Sequence, residues 1–492
     1  MINSHIIEIE NINSYDKLFD LIPHSHIDLK TVNEIKDNIG TNADYIITEN
    51  PYADRDFLST YYIFYSMKFR NYEKSCFRIH FFRRNAFGEP DIYGGFITLR
   101  PTISGTRIGR SYLEPVLLSD PNSFIMSGKY KVNLLGNEIF VNAFPWMHQE
   151  TDVSICAHVA VWSVLRYFGN KYRYYPDWTM GEIVSKITSS TGRKIPSTGL
   201  SAPQICEVLQ SAGFSPIIRE KTNNDFLFEI MSYIESGIPV IGMASNITHA
   251  FSIIGHGMID TSFLSCQLDD YFVQYSYDNR IIISDIIPSY HCITSLVIND
   301  DNTFPYRTVP LHIGDMPGTS AKYCADNIDV AIIPLYNKMQ IVFNEIYNRF
   351  IILSESQRHG KQSKSSMKWP SPKVARLFIT SSNSFKEKTL LNESINPEIK
   401  NIILNMNFPK FIWCIEIYRP ENYSSGLVSG MILVDTTACS KDQDPWLFMH
   451  DCRKAKWVNE KGKTNIYFTK SPIEPFNRYI NNLNEVSNLW QN

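Results

Sequence analysis

Cys156 and His249 are the two residues of this sequence whose types and surroundings best suit covalent chemistry. Cys156 begins a segment with helical periodicity, and the first turn of a helix favours a thiolate through its free N–H groups and the helix dipole. His249 opens the strand-like run Ala250-Phe-Ser-Ile-Ile-Gly, and an imidazole on a separate rigid element can take the thiol proton. The pair predicts a thiol nucleophile that attacks a carbonyl.

Two further groups complete the predicted chemistry. Asp300 follows the apolar run Ile293-Thr-Ser-Leu-Val-Ile and is the predicted carboxylate that orients His249. Asp301 is the second choice, because a shift of one residue in strand register would turn its side chain, and not that of Asp300, toward the site. Gln149, seven residues before Cys156, is the predicted oxyanion donor, together with the Cys156 backbone N–H.

These residues must be positioned by helices followed by strands. Ser154 is a suitable N-cap for a helix over about residues 154–168, and Gly169 is its predicted stop. Further helices are predicted at 201–212 and 225–236, and strands at 239–244, 250–254, 270–274, 280–284 and 293–298. Helices first and an antiparallel sheet afterwards predict an α+β domain with a cleft where the two meet.

The length of 492 residues predicts several domains. The changes of pattern divide the chain into a mixed α/β domain at 1–135, the α+β domain at 136–310 and a C-terminal α+β domain at 311–492. A long helix is expected over about 337–354. The polar, basic stretch 356–366 is interpreted as an exposed loop.

The segment Gln149-Glu-Thr-Asp-Val-Ser-Ile-Cys-Ala-His, the run Gly237-Ile-Pro-Val-Ile-Gly, the run starting at His249 and the strand end Asn299-Asp-Asp together carry a family resemblance. They resemble papain-like cysteine peptidases over roughly residues 140–310, nearest to the bacterial peptidases that remove double-glycine leaders. The resemblance implies a papain-like peptidase domain, with helices packed on an antiparallel sheet, between two flanking domains. It also implies a peptidase acting on a protein or peptide.

By the same resemblance Gln149 is the oxyanion glutamine, Cys156 the nucleophile, His249 the base and Asp300 the orienting carboxylate. About fifty residues separate His249 from Asp300, which an insertion around 260–277 would explain. Other carboxylates within that stretch remain alternatives, namely Asp269, Asp270, Asp278 and Asp285. Two other functions also remain open: a papain-fold acyltransferase, and an inactive papain-like module that only binds a partner.

Composition excludes several classes of function. A formal net charge of −3 provides no basic field for nucleic acid. No run approaches the roughly 18 apolar residues of a membrane helix, so a cytoplasmic protein without a membrane partner is expected. Nine cysteines without a CxxC pair predict reduced thiols and neither a metal site nor a cofactor. The flanking domains are candidates for holding a partner protein.

The other histidines near these motifs are not predicted to take part in the chemistry directly. His148, beside Gln149, is a candidate for the cleft wall. His158 faces away from Cys156 on a helix, since residues two apart do not share a face. His256 and His291 are interpreted as loop or packing residues.

Overall fold

The computed structural model describes the chain except residues 1–2, 23–28, 86–90, 104, 151–154, 190–193, 196, 198, 223–224, 267–271, 278–279, 313–322, 360–365, 440–443, 460, 471, 480–481 and 487–492. Its helices are α1 (Lys17–Leu21), α2 (Leu29–Ile39), α3 (Arg55–Ile63), α4 (Cys156–Lys171), α5 (Met180–Lys186), α6 (Ala202–Ser211), α7 (Phe226–Glu235), α8 (Ser262–Cys266), α9 (Phe343–His359), α10 (Ser382–Leu391), α11 (Pro397–Asn405) and α12 (Pro420–Tyr423).

The first part of the chain forms an antiparallel sheet in the order β1-β2-β3-β4-β5, with β6 also paired to β4. Its strands are β1 (Asn3–Glu8), β2 (Tyr45–Tyr52), β3 (Cys76–Arg83), β4 (Ile92–Thr102), β5 (Gly105–Ile108) and β6 (Tyr112–Leu113). A separate hairpin follows, formed by β8 (Gly128–Leu134) and β9 (Asn137–Ala143). Alternating exposure along β8 shows that one face of this hairpin is packed against the protein.

The central sheet has the order β10-β18-β11-β12-β16-β17; the short strand β7 also pairs with β12, and β27 pairs with β7. Its strands are β7 (Phe124–Ile125), β10 (Phe214–Glu220), β11 (Val240–Ala244), β12 (His249–His256), β16 (Ser295–Asn299), β17 (Arg307–Pro310), β18 (Val330–Tyr336) and β27 (Asn484–Glu485). Strands β12, β16 and β18 are buried along nearly their whole length, as expected of strands inside a sheet that is covered on its faces. Helix α4 packs on β12.

The last sheet has the order β15-β19-β20-β22-β23-β24-β25. Its strands are β15 (Ile286–Pro288), β19 (Lys373–Ser381), β20 (Phe411–Tyr418), β22 (Gly430–Asp435), β23 (Trp446–His450), β24 (Lys454–Val458) and β25 (Thr464–Phe468). There are also two two-stranded antiparallel sheets: the consecutive strands β13 (Val273–Tyr277) and β14 (Arg280–Ser284), and the sequence-distant strands β21 (Leu427–Val428) and β26 (Phe476–Asn477). Strand β15 pairs with β19 in parallel, whereas the other pairs of this sheet are antiparallel.

Separate helices and largely antiparallel sheets make the protein α+β, as the order of sequence patterns predicted. The largest hydrophobic core joins residues from Ile7 to Val486, so it runs through all three predicted divisions. Strand β18, from the C-terminal division, lies in the central sheet, and β15, from the middle one, lies in the last sheet. The boundaries at 135 and 310 therefore stay predictions about sequence pattern, and many contacts cross them.

Two local predictions are wrong. Gly169 does not stop the helix that begins at Cys156, which continues to Lys171. A Cβ at Gly169 would lie 3.2 Å from the Pro176 carbonyl oxygen, so this glycine permits a close approach of backbone. The long helix α9 begins at Phe343 and reaches His359, so the predicted loop at 356–366 is helical at its start. Residues 360–365 lie outside the described part.

Candidate functional site

Cys156 is the first residue of α4, and its side chain is 9% exposed. The preceding residue, Ile155, has extended backbone and contributes no side-chain cap, so the backbone N–H groups of Cys156 and Ala157 have no partner among the described residues and can face a thiolate or an oxyanion. The predicted cap, Ser154, lies outside the described residues. Cys156 thus has the helix-terminal position that its sequence pattern indicated.

Helix α4 is held in place by α3 and by β12. Asp56 of α3 is buried and accepts hydrogen bonds from Trp162 Nε1 (2.9 Å) and Arg166 Nη2 (2.7 Å), both on α4. On the opposite side, the Ser252 hydroxyl of β12 donates to the Ala160 carbonyl at 3.3 Å. These contacts fix the helix that carries Cys156 relative to the strand that carries His249.

His249 is positioned by a tight hairpin. It pairs with Ala244 of β11, and the linking residue Thr248 has a left-handed backbone with φ of 48°. Next in the sheet, Ser252 of β12 lies opposite Asn299 of β16. Because the strands are antiparallel, the residues that follow Asn299 run back alongside His249. The register therefore brings Asp300 to His249 although 51 positions separate them in the chain.

The His249 ring lies between the Asp300 carboxylate and the Cys156 thiol. Asp300 Oδ1 is 2.7 Å from His249 Nε2. Burial lowers the pKa of His249, but its hydrogen bonds to Asp300 and Cys156, together with the charges of Asp300 and Asp301, raise that pKa to about 10. Burial alone would raise the pKa of the Asp300 carboxyl, but the contact with His249 lowers it overall. The site therefore favours an imidazolium held against the Asp300 carboxylate.

Asp301, the reserve candidate, is a second buried carboxyl beside the histidine. Its Oδ1 is 3.3 Å from His249 Nε2, and within the described part neither of its oxygens accepts a hydrogen bond. Burial and the neighbouring charge of Asp300 raise the pKa of Asp301, outweighing the opposite effect of His249. Asp300 is the better orienting group, because it makes the shorter contact and is the one held ionised.

Asn302 connects the two halves of the site. Its backbone N–H donates to Asp300 Oδ1 at 2.9 Å, and its side-chain oxygen accepts from Gln149 Nε2 at 2.6 Å. The backbone N–H of Gln149 donates to the Asp301 carbonyl at 3.2 Å. A glutamine amide has two N–H donors, so one remains for a bound oxygen. The structure therefore brings Gln149 to the same loop as Asp300.

The segment around Gln149 is held by hydrogen bonds from the first sheet. Arg100 of β4 is buried, and it donates to the His148 carbonyl at 2.7 Å and to Glu150 Oε2 at 3.2 Å. The Tyr65 hydroxyl donates to the other oxygen of Glu150. The residues on both sides of Gln149 are therefore fixed by side chains from the N-terminal part of the chain.

The other candidates lie apart from this arrangement or outside the described residues. Asp285 pairs with Lys373 Nζ at 2.6 Å in the last sheet. The remaining alternatives, Asp269, Asp270 and Asp278, lie outside the described residues. His148 is 4% exposed, and burial lowers its pKa to about 3, so it is a neutral packing residue beside Trp146.

The three other histidines considered in the sequence, His158, His256 and His291, are also buried or packed against neighbouring residues. Burial lowers the pKa of His158 and of His291 to about 4 in each case. His291 stacks on Tyr290 and Phe263, in line with a packing role. His256 Nε2 is 3.3 Å from Glu235 Oε1, at the far end of β12 from His249.

His249, Asp300 and Asp301 also place one nitrogen and two carboxylate oxygens within 4.8 Å of one another. Such donors suit a divalent metal ion. A metal there would have to replace the hydrogen bond between His249 Nε2 and Asp300 Oδ1, which holds the ring against the buried carboxylate. The arrangement therefore favours an ion pair between His249 and Asp300, which orients the imidazole, over a metal site.

Sequence reasoning missed the linking roles of Asn302 and Arg100. Asn302 was visible as a polar residue beyond the strand end, but its bridge depends on the β12–β16 register. In the sequence, Arg100 is only a charged residue within a strand-like run. The feature that could have indicated its role is that an arginine buried in a strand needs a carboxylate partner. Pro101 lies inside β4, where it pairs with Thr106 of the edge strand β5.

No protein-family model matches this chain, and no curated protein matches its sequence. Among the described residues, no helix is long and apolar enough to cross a membrane.

Proposed function

We propose that the protein is a cysteine peptidase that cleaves a protein or peptide substrate through an acyl-enzyme on Cys156. The observation that carries the proposal is the His249 ring, held between the thiol at the start of α4 and the Asp300 carboxylate. A helix start, an imidazole and an orienting carboxylate are the three elements that activate a thiol nucleophile.

In the first half of the reaction, the Cys156 thiolate attacks the carbonyl carbon of the scissile amide. With Nε2 engaged by Asp300, Nδ1 is the ring nitrogen left to exchange a proton with the thiol and the leaving group. As the C–N bond breaks, His249 gives its proton to the departing amine. The product of this half is a thioester on Cys156.

In the second half, water attacks the thioester carbonyl. His249 accepts a proton from the water, the C–S bond breaks, and the carboxylic acid leaves with the thiolate restored. In both halves the carbonyl oxygen becomes negatively charged. The backbone N–H of Cys156 and the second N–H of the Gln149 side chain would donate to that oxygen, and Asn302 orients the Gln149 amide.

We further propose that α4 and the central sheet form a papain-like peptidase unit. The support is the helix that carries the thiol, packed on an antiparallel sheet that carries the histidine and the aspartate. The first and last sheets would then select the substrate or hold a partner protein. The first sheet and α3 would also help to position the site itself, because Arg100 holds the residue before Gln149 and Asp56 holds the helix that carries Cys156.

The test is cleavage of a peptide library prepared from a proteome digest, with new peptide ends identified by mass spectrometry. We expect new ends with the native protein and with Cys439→Ala, an exposed cysteine that serves as the matched control. We expect none with Cys156→Ala. Equal cleavage by Cys156→Ala, or none by the native protein, would show that the chain is not a peptidase of this mechanism.

Acyl transfer and an inactive binding module are the alternatives that the same assay separates. Added hydroxylamine competes with water for the thioester, so hydroxamate products that replace free acids report the same acyl-enzyme. If products form only when an amine is supplied, the enzyme is a transferase. If Cys156 is not labelled by a peptidyl epoxide faster than Cys439, the binding-module hypothesis replaces the enzyme.

A further inference from the structure

The last sheet contains a cavity of about 450 Å³ that takes no part in the chemistry proposed for Cys156. Helix α10 and the turn after it form one wall, Glu416 of β20 and Met431 of β22 form the floor, and residues 476–479 form the opposite wall. The volume lies within the range of pockets that hold small molecules.

The interior of the cavity is mainly apolar. Phe385, Ile395, Met431 and Phe476 line it, and each is at least nine-tenths buried. Thr389 also lines it and is 3% exposed, yet its hydroxyl makes no hydrogen bond to the residues that the structure describes. A hydroxyl without a protein partner at the wall of an open cavity can form a hydrogen bond with a ligand oxygen.

The floor does not present an uncompensated negative charge. The buried Glu416 carboxylate accepts hydrogen bonds from Arg376 Nη1 at 2.8 Å and from the Tyr479 backbone N–H at 2.7 Å. The Tyr418 hydroxyl also donates to it. An apolar or weakly polar group can therefore rest on this floor without meeting a bare carboxylate.

The mouth of the cavity is positively charged. Lys388 and Arg478 both line it, and within the described part of the chain neither makes an ion pair or a side-chain hydrogen bond. Glu393 also lies on the rim but is exposed and contacts neither cation. Leu391 lines the same mouth and is 66% exposed. Two free cations beside exposed apolar surface complement a molecule that is both acidic and apolar.

We infer that this cavity binds a small amphipathic carboxylate, with its apolar chain or ring inside and its carboxylate at Arg478 and Lys388. Arginine suits the head group because its planar guanidinium can donate two parallel hydrogen bonds to a carboxylate. The apolar body is driven into the cavity by the removal of its surface from water. The Thr389 hydroxyl is a third polar contact at the wall.

The test is calorimetric titration of the full-length protein with octanoate and with octanol, which has the same chain and no charge. We expect saturable binding of one octanoate per chain, and binding of octanol at least about ten-fold weaker, since only octanoate can form charge-assisted hydrogen bonds with Arg478 and Lys388. Arg478→Gln is expected to weaken octanoate binding at least about ten-fold without changing that of octanol.

Arg453→Gln is the matched control, because Arg453 is an exposed arginine of the same region that does not line the cavity. It is expected to bind octanoate like the native protein. Lys388→Gln, at an exposed position, provides a second charge-removing variant should Arg478→Gln fold poorly, and it is also expected to weaken octanoate alone. Absence of saturable octanoate binding overturns the inference, as do equal affinities of the Arg478→Gln, Lys388→Gln and Arg453→Gln variants.

Discussion

Asp300→Asn is the substitution that most sharply tests why His249 is protonated. The amide keeps the shape of the carboxylate but removes its charge, while the neighbouring Asp301 stays 3.3 Å from the same ring nitrogen. The native His249 pKa is raised to about 10, although burial works against it. We therefore expect the variant to have a lower His249 pKa that is still above the ordinary value of about 6.5.

The size of the change follows from the contact that is lost. A hydrogen bond between charged groups contributes about 1.5–3 kcal/mol, and 1.36 kcal/mol corresponds to one pKa unit. The Asp300–His249 contact of 2.7 Å is short and the His249 side chain is only 8% exposed, so solvent screens it little. We expect the His249 pKa to fall by about one to two units in Asp300→Asn, and further in the double variant with Asp301→Asn.

The assay is a pH titration of the histidine side chains by nuclear magnetic resonance, with the His249 signal assigned through His249→Gln. Asp326→Asn is the matched control, since Asp326 Oδ2 also contacts a histidine, His312, at 3.1 Å. That control should leave the His249 titration unchanged. If Asp300→Asn moves the His249 pKa no more than Asp326→Asn does, the proposed role of Asp300 is refuted.

Three further predictions concern the supports of the site, the buried charges and metals. Arg100→Gln should loosen the Gln149 segment and weaken inhibition by a peptide aldehyde roughly ten-fold, while the iodoacetamide reaction of Cys156 stays unchanged. The two reagents differ because only the aldehyde adduct places an oxygen against the Gln149 donor. An equal loss in both reactions would contradict the role of Arg100 in holding the Gln149 segment. Arg376→Met leaves Glu235 and Glu416 buried without their cation, so urea unfolding should show a loss of about 3–5 kcal/mol relative to Arg453→Met. Although burial raises the pKa of Glu235, Arg376 and His256 lower it overall, so this stabilisation is present above the unfolded-state pKa of about 4.3 and is lost as the pH falls below it. Removal of metals with EDTA should leave cleavage and Cys156 labelling intact, whereas a loss of activity restored by Zn²⁺ would assign His249, Asp300 and Asp301 to a metal.

Local patterns in the sequence were sufficient to predict the elements that carry the chemistry. Apolar periodicity indicated a helix at Cys156, and an apolar run ending in acidic residues indicated the strand before Asp300. These features depend on neighbours within a few residues, which a single sequence displays directly. The choice of Asp300 over Asp301 required the register of β16 against β12, and a register follows from contacts distant in the chain.

The supports of the site could not be predicted in the same way. Arg100 and Tyr65 meet Glu150 from parts of the chain that local periodicity does not connect. The strand β18 returns to the central sheet after the point where the sequence pattern suggested a new domain. Such contacts are set by how whole elements pack, and they leave no signal at any one position of the sequence.

The alkylation rates of the individual cysteines in mildly acidic solution test the account most directly. Burial raises the pKa of Cys292 to about 12 and also raises the pKa of the buried Cys76, Cys206 and Cys414 thiols, so these should remain unreactive. Exposed Cys439 is the comparison thiol, measured in the same solution at about pH 5, because it lies outside the proposed site. We predict that iodoacetamide labels Cys156 fastest at that pH, and that His249→Ala abolishes this advantage. If Cys156 reacts no faster than Cys439, or equally fast without His249, the proposed thiolate–imidazolium pair does not exist.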